Sequence, residues 1–297
     1  MTLLVPRAAA RADTSAYALY DAVAEDSAAL VIGRYSTSFG LACRLLTEPV
    51  RTHVRNVYAL VRLGDEIVDA PRPDTTPAEQ RLLLDTLEEE VHAALASGHS
   101  ANLVVHAFAR TARACGIARD LVDPFFASMR EDLSPRVHDR ASFERYVHGS
   151  AEVVGLMCLR AFLVDEPRAE STYAALAPGA CRLGAAFQKI NFLRDLAQDH
   201  DQLGRRYLPG IDARGLTEEQ RDQVLDEIDR DLRAADAAVP HLPDHSRLAV
   251  LVAQALFAEL SRRLRATPAE QIRCERVRVP GRVKARIVAR CVLRGAR

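Results

Sequence analysis

The stretch Gln188 to Asp199 contains neither Pro nor Gly and repeats its apolar residues at helical spacing, which predicts an α-helix. On that helix Leu183, Phe187, Ile190, Leu193 and Ala197 share one face, while Gln188, Asn191, Asp195 and Asp199 follow one another at three- or four-residue steps on another. Val50 to Asp69 repeats the device: Val54, Tyr58 and Val61 form an apolar stripe that runs on into Asp65 and Asp69. An apolar stripe has to be buried, so these aspartates are expected to be carried inward with it. Four carboxylates facing one cavity repel, each close pair costing about 4 kcal/mol at 4 Å and an effective dielectric near 20, unless protons, arginines or cations compensate.

Two carboxylates four residues apart stand roughly 6 Å from each other along a helix, so both can reach hard, oxygen-seeking cations. Mg²⁺ suits the pattern because it keeps water and phosphate oxygens in its shell, and Mn²⁺ is the alternative. A purely structural role would instead pair Asp65 and Asp69 with Arg62, and Asp195 and Asp199 with Arg194, in buried salt bridges. One such aspartate pair is common on solvated helices; two, each on an otherwise apolar helix, favour the metal.

Arg62-Leu63-Gly64-Asp65-Glu66-Ile67-Val68-Asp69 resembles the first aspartate-rich motif of the squalene and phytoene synthases, which join two prenyl diphosphates head to head. Gln188, Asn191, Arg194, Asp195 and Asp199, followed by Gly204-Arg205-Arg206-Tyr207-Leu208-Pro209, resemble the second. Tyr146 to Met157 is similar to a further family helix, and Arg276 to Lys284 to its terminal helix-turn. The resemblance covers nearly the whole chain from Tyr17 to Arg290. It implies an all-α, single-domain bundle of the class I isoprenoid synthase type with a central active-site cavity. It also implies metal ligands at Asp65, Asp69, Asn191, Asp195 and Asp199, and catalytic roles for the four aspartates with Tyr58 and Tyr146. Substrate contacts are implied at Ser36, Ser38, Phe39, Arg62, Gly149, Val154, Gln188, Asn191, Arg194, Arg205, Tyr207 and Phe257. Two positions depart from the pattern: Thr37 stands where members often carry a basic residue, and Phe257 where many carry a tyrosine. On this reading Thr37→Lys is expected to tighten substrate binding.

The implied activity is condensation of two prenyl diphosphates, geranylgeranyl diphosphate first, through a cyclopropyl diphosphate intermediate to a linear carotenoid precursor such as phytoene. Coupling of farnesyl diphosphate to presqualene diphosphate or dehydrosqualene is an alternative, as is intramolecular cyclisation of one prenyl diphosphate. A non-enzymatic assembly factor is disfavoured by four intact aspartates. No G-x-G-x-x-G follows a strand pattern, so no NAD(P)H is expected.

The 297 residues are read as an N-terminal extension over 1–16, without regular structure, and one helical domain over 17–297. Aromatics at 5% and the absence of Trp favour helices over strands. The formal net charge is zero, which gives no reason to expect nucleic acid. Charge is nevertheless uneven, with ten excess positive charges between Arg262 and Arg297. There Arg282, Arg286, Arg290 and Arg294 run beside Val283, Ile287 and Cys291, a basic amphipathic pattern that points to peripheral membrane docking or to a solvated basic face. Six dispersed cysteines without a C-x-x-C motif point to a reducing, cytoplasmic setting. Oligomeric state is left open. Within the third family segment, Gly149 and Gly155 are expected either to let helices pack closely or to smooth an apolar channel, and His148 reads as a hydrogen-bonded or surface histidine rather than a base.

Overall fold

The structure, a computed structural model, describes residues 14–70, 72–134, 137–212 and 215–295, so most of the 1–16 extension lies outside the described residues. In chain order the helices are α1 (Thr14–Tyr35), α2 (Thr37–Cys43), α3 (Val50–Asp69), α4 (Pro77–Ser97), α5 (Leu103–Cys115), α6 (Arg119–Asp132), α7 (Arg140–Val147), α8 (Val153–Phe162), α9 (Ala169–Leu203), α10 (Glu218–Asp236), α11 (Asp244–Ala266), α12 (Ala269–Ile272) and α13 (Gly281–Gly295). Among the described residues no strand forms; Val137 and Arg206 make an isolated parallel bridge.

Local chemistry sets the helix ends. Thr76 caps α4 and Thr217 caps α10 by reciprocal bonds with Glu79 and Gln220 three residues on. Gly204, at φ 66°, ends α9 in the left-handed conformation that glycine adopts without strain. That turn folds the chain back so that the Arg205 amide donates to the Asp199 carbonyl at 2.9 Å. The bend between α1 and α2 is confined to Ser36, whose hydroxyl accepts from the Phe39 amide at 3.1 Å.

Two large apolar clusters make up most of the core. One packs Leu60 of α3 against Leu84, Phe108, Phe125, Phe126 and Met157. The other packs Ile190 and Leu193 of α9 against Leu225, Ile228 and Leu264. The predicted α9 faces hold at Ile190 and Leu193, whereas Leu183 and Phe187 turn toward the space between the cores. Behind α9, Lys189 is buried between Glu227 and Asp231 of α10, with Asp231 at 2.7 Å.

Between α7 and α8 the helix widens into a π-helical turn, His148–Glu152. A Cβ on Gly155 would lie 2.7 Å from the Ala180 carbonyl oxygen, and one on Gly184 would lie 2.6 Å from that of Ala151. Close packing of α8 on α9 is therefore the reason for these glycines. Gly149 meets the backbone of α6 at Pro124 in the same way. His148 is exposed and pairs with Glu152 at 3.0 Å, as expected of a surface histidine.

The inner stripe of α13, Ile287, Val288 and Cys291, packs against Ala42, Val252 and Leu256 of α2 and α11. Among the described residues no helix is long and apolar enough to cross a membrane.

Candidate active site

Between the two cores the helices enclose a cavity of about 1140 Å³. Its walls come from α1, α2, α3, α6, α7, the π-helical turn, α8, α9, α10, α11 and the segment that enters α13. Asp65 and Asp69 on α3 and Asp195 and Asp199 on α9 all line it, so the two motifs, far apart in the chain, share one space. Tyr58, Arg62, Val154, Gln188, Asn191 and Arg194 line it as well, as do Ser36, Ser38, Phe39, Tyr146, Arg205, Tyr207 and Phe257.

Gly149 is the exception. It does not line the cavity, because its Cα is pressed against α6; the substrate contact expected of it is corrected to a packing role. Its neighbour Ser150 faces the site instead and accepts a hydrogen bond from the Gln188 amide at 3.2 Å.

Of the ion pairs a salt-bridge framework requires, Arg194 with Asp195 forms, whereas among the described residues Arg62 pairs with neither Asp65 nor Asp69 and Arg194 does not pair with Asp199. Arg62 turns to Glu66, with Nε at 3.0 Å, and stacks over the Tyr35 ring at 4.3 Å. Asp195 is held by Arg194 at 2.5 Å and by Arg276 at 2.7 Å, and Asp69 by Arg205 at 2.5 Å. Among the described residues Asp65 and Asp199 join no ion pair. Burial first, and the Asp69 charge second, push Asp65 up to about 7 against the opposing pull of Arg62. Burial and the Asp195 charge push Asp199 up to about 7 as well.

Away from the carboxylates the wall turns aromatic and then aliphatic. Phe187 stacks on Phe257 with centroids 3.9 Å apart, and Phe39 lies 5.3 Å from Phe257 and 6.5 Å from Tyr58. Beyond them Leu159, Phe162, Leu176 and Leu242 close the space.

Lys284, from the entry to α13, lines the same cavity and places its ammonium 2.8 Å from the Thr37 hydroxyl. Burial, with a smaller contribution from Arg194, lowers its pKa. The charge absent from position 37 is thus present at that point in space, contributed by a residue 247 positions away.

Residues 32–283 match the sequence pattern of the family described as squalene/phytoene synthase. This chain belongs to the squalene/phytoene synthase family. It is 30% identical over 251 residues to a 15-cis-phytoene synthase of Pantoea ananas, an alignment that covers 76% of this chain and 77% of that one. To a presqualene diphosphate synthase of Rhodopseudomonas palustris it is 29% identical over 248 residues, covering 81% and 79%. In fold it is similar to a crystal structure of a dehydrosqualene synthase, with a TM-score of 0.75 at 19% identity over 94% of this chain and 98% of the other.

The donor set of this family member fits a hard divalent cation. Four carboxylates and the Asn191 amide are gathered in one cavity, and among the described residues two of the carboxylates, Asp65 and Asp199, join no ion pair. Among the described residues, the trio of acidic and imidazole ligand atoms that lie within 4.8 Å of one another is elsewhere, at Glu88, His92 and Asp123 between α4 and α6. There Arg130 pairs with Glu88 and Arg119 with Asp123, so those charges are already met. Among the described residues the cavity aspartates do not form such a trio.

Sequence reasoning missed Asp132, Arg276, Lys284 and Phe192, all of which line the cavity. Asp132 is one acidic residue at the end of α6, with no partner at helical spacing to draw attention to it. Arg276 and Lys284 sat inside a recognised family segment, but nothing local indicated that they reach across to α9 and α2.

Proposed function

We infer that this protein joins two prenyl diphosphates head to head, with geranylgeranyl diphosphate as first choice and phytoene as product. The observation that carries the reading is the sharing of one cavity by both aspartate pairs, with the rest of its wall aromatic and aliphatic. At about 1140 Å³ the cavity exceeds the range of about 300–1,000 Å³ usual for a single small ligand, which supports two substrates over one.

The chemistry follows from the division of the cavity. Asp65, Asp69, Asn191, Asp195 and Asp199 would hold Mg²⁺, which when bound neutralises the diphosphate and makes it a competent leaving group. Arg276 and Lys284 at the mouth add cationic donors for diphosphate oxygens, and Arg62 and Arg194 flank the two motifs. Phe39, Tyr58 and Tyr146 offer π faces to the allylic cation, and the apolar wall keeps water from it. Attack by the alkene of the second substrate on the allylic cation, with loss of a proton, then gives a cyclopropyl diphosphate; departure of its diphosphate and rearrangement leave a cation that loses a second proton to give the linear product. Phe257 keeps an aromatic face where many relatives carry a tyrosine. Farnesyl diphosphate coupling uses the same parts, so chain length is the point to be measured.

The test is incubation with Mg²⁺ and each prenyl diphosphate separately, followed by mass analysis of the apolar extract. Hydrocarbon or cyclopropyl diphosphate with twice the substrate's carbon count is expected. Products with the carbon count of one substrate overturn coupling in favour of cyclisation. Asp65→Asn or Asp195→Asn is expected to abolish turnover with the helical circular dichroism intact. Either variant retaining near wild-type activity at limiting Mg²⁺ would remove the metal assignment.

A further inference from the structure

Asp132 closes α6 and is 8% exposed, facing the aspartate end of the cavity. Both of its oxygens are engaged. Oδ2 accepts from the Tyr146 hydroxyl at 2.7 Å, and Oδ1 accepts from the Tyr207 hydroxyl at 2.7 Å. Arg205 binds the same assembly from behind. Its Nε lies 3.8 Å from Oδ1, it donates to the main-chain oxygens of Asp132 at 3.3 Å and Val68 at 2.9 Å, and it pairs with Asp69 of the first motif. The Tyr207 hydroxyl also accepts from Arg205 at 3.2 Å.

A buried carboxylate is costly, and replacing it with well-packed apolar groups is often neutral or stabilising for the fold. The geometry shows what this one does. Its two acceptors leave each phenol a single direction for its proton, which fixes two neighbouring rings 5.0 Å apart, and Phe192 stacks on Tyr207 at 4.3 Å. All three rings line the cavity. A phenol that donates to a carboxylate gains electron density in its ring, so the π face it presents attracts a cation more strongly.

We propose that Asp132 is a positioning residue that orients and electronically enriches the Tyr146–Tyr207 wall toward a carbocation. The inference rests on the coupling reading above, in which an allylic cation forms in this cavity. In this role Asp132 acts through the two tyrosines and, by way of Arg205, keeps that wall in register with Asp69.

The test compares Asp132→Asn with wild type in calorimetric binding of a prenyl amine, a cationic mimic, and of the matching neutral prenyl alcohol. An asparagine brings a donor where a second acceptor stood, so one phenol must turn away. The amine is expected to bind about 10- to 100-fold more weakly to the variant, as for loss of an outer partner, with alcohol binding unchanged. Equal weakening of both ligands, or of neither, overturns the proposal. Tyr146→Phe/Tyr207→Phe keeps both rings and gives a second route: it should show the same loss for the amine, and adding Asp132→Asn should lower it no further. Multiplying losses in the triple variant would likewise sink the idea. If wild type distinguishes amine from alcohol in this way yet makes no coupled product, the coupling reading fails and the role of Asp132 stands.

Discussion

At the level of single residues, the protonation of Asp65 and Asp199 makes a measurable statement about metal. Each is held near 7 in the fold against an ordinary value of 3.8, so the native state keeps protons that the unfolded chain has released between about pH 4 and 7. The metal-free protein should therefore lose stability as pH rises through that window. On the proposed metal assignment Mg²⁺ is held by the ionised carboxylates and should stabilise most above it. Thermal melts in chelator and in Mg²⁺, at about pH 5.5 and pH 8, check the sign; an Mg²⁺ shift no larger at the higher pH counts against these two ligands. Lys284 gives a second prediction. The sequence alone implied that Thr37→Lys would tighten substrate binding, but the Lys284 ammonium already stands 2.8 Å from the Thr37 hydroxyl. A second lysine there meets a like charge, so Thr37→Lys should weaken diphosphate binding rather than improve it. Lys284→Ala should raise KM roughly ten- to a hundredfold, the worth of one charge-assisted hydrogen bond of about 1.5 to 3 kcal/mol. Unchanged KM in Lys284→Ala would return the subsite to its sequence-based reading.

Among the helices, α13 changes most between the sequence and the fold. Its apolar stripe, legible from Val283, Ile287 and Cys291, is spent on α2 and α11 and is not free to enter a bilayer. The outward side carries Arg282, Arg286 and Arg290, all exposed, and Leu293 at 71% exposure; the side chain of Arg294 lies outside the described residues. Any peripheral docking through this helix must then be mainly electrostatic, each arginine near an anionic surface contributing about 1 kcal/mol. Sedimentation with phosphatidylglycerol vesicles should show binding at low salt that disappears at high salt, and Arg282→Glu/Arg286→Glu should abolish it. Binding that survives either change excludes this face. The α8–α9 contact teaches a different lesson: Gly155 and Gly184 are there because carbonyl oxygens of the facing helix come within 2.7 Å and 2.6 Å of where a Cβ would sit. The same approach brings Ser150 to Gln188 at the edge of the site.

For the molecule as a whole, the division between a carboxylate end and an apolar end of one cavity is what makes ionisation and carbon–carbon coupling compatible. The first requires charge and the second requires exclusion of water. The expectation that no nicotinamide takes part becomes a test at this scale. Product mass from either prenyl diphosphate should be unchanged by NADPH, and squalene formed from farnesyl diphosphate on its addition would show a reductive step.

The periodicity of the chain was enough to read the stretches Val50 to Asp69 and Gln188 to Asp199 as helices. The repeated four-residue aspartate spacing on apolar stripes determined that these carboxylates go inward, because burying the stripe drags them along. What the tertiary structure decided is which charges meet. Arg205 was legible as a cation near the second motif, yet it bonds to Asp69 of the first and to Asp132, because the left-handed turn at Gly204 swings it back across the cavity. Asp132, Arg276 and Lys284 were illegible because their partners lie on other helices, and local spacing carries no information about contacts made across a bundle. Gly149 was read toward the substrate from the family resemblance alone, because a glycine in a helix has no side chain to show its direction. Only the press of α6 against it reveals that it packs, and that the neighbouring Ser150 is the residue facing the site.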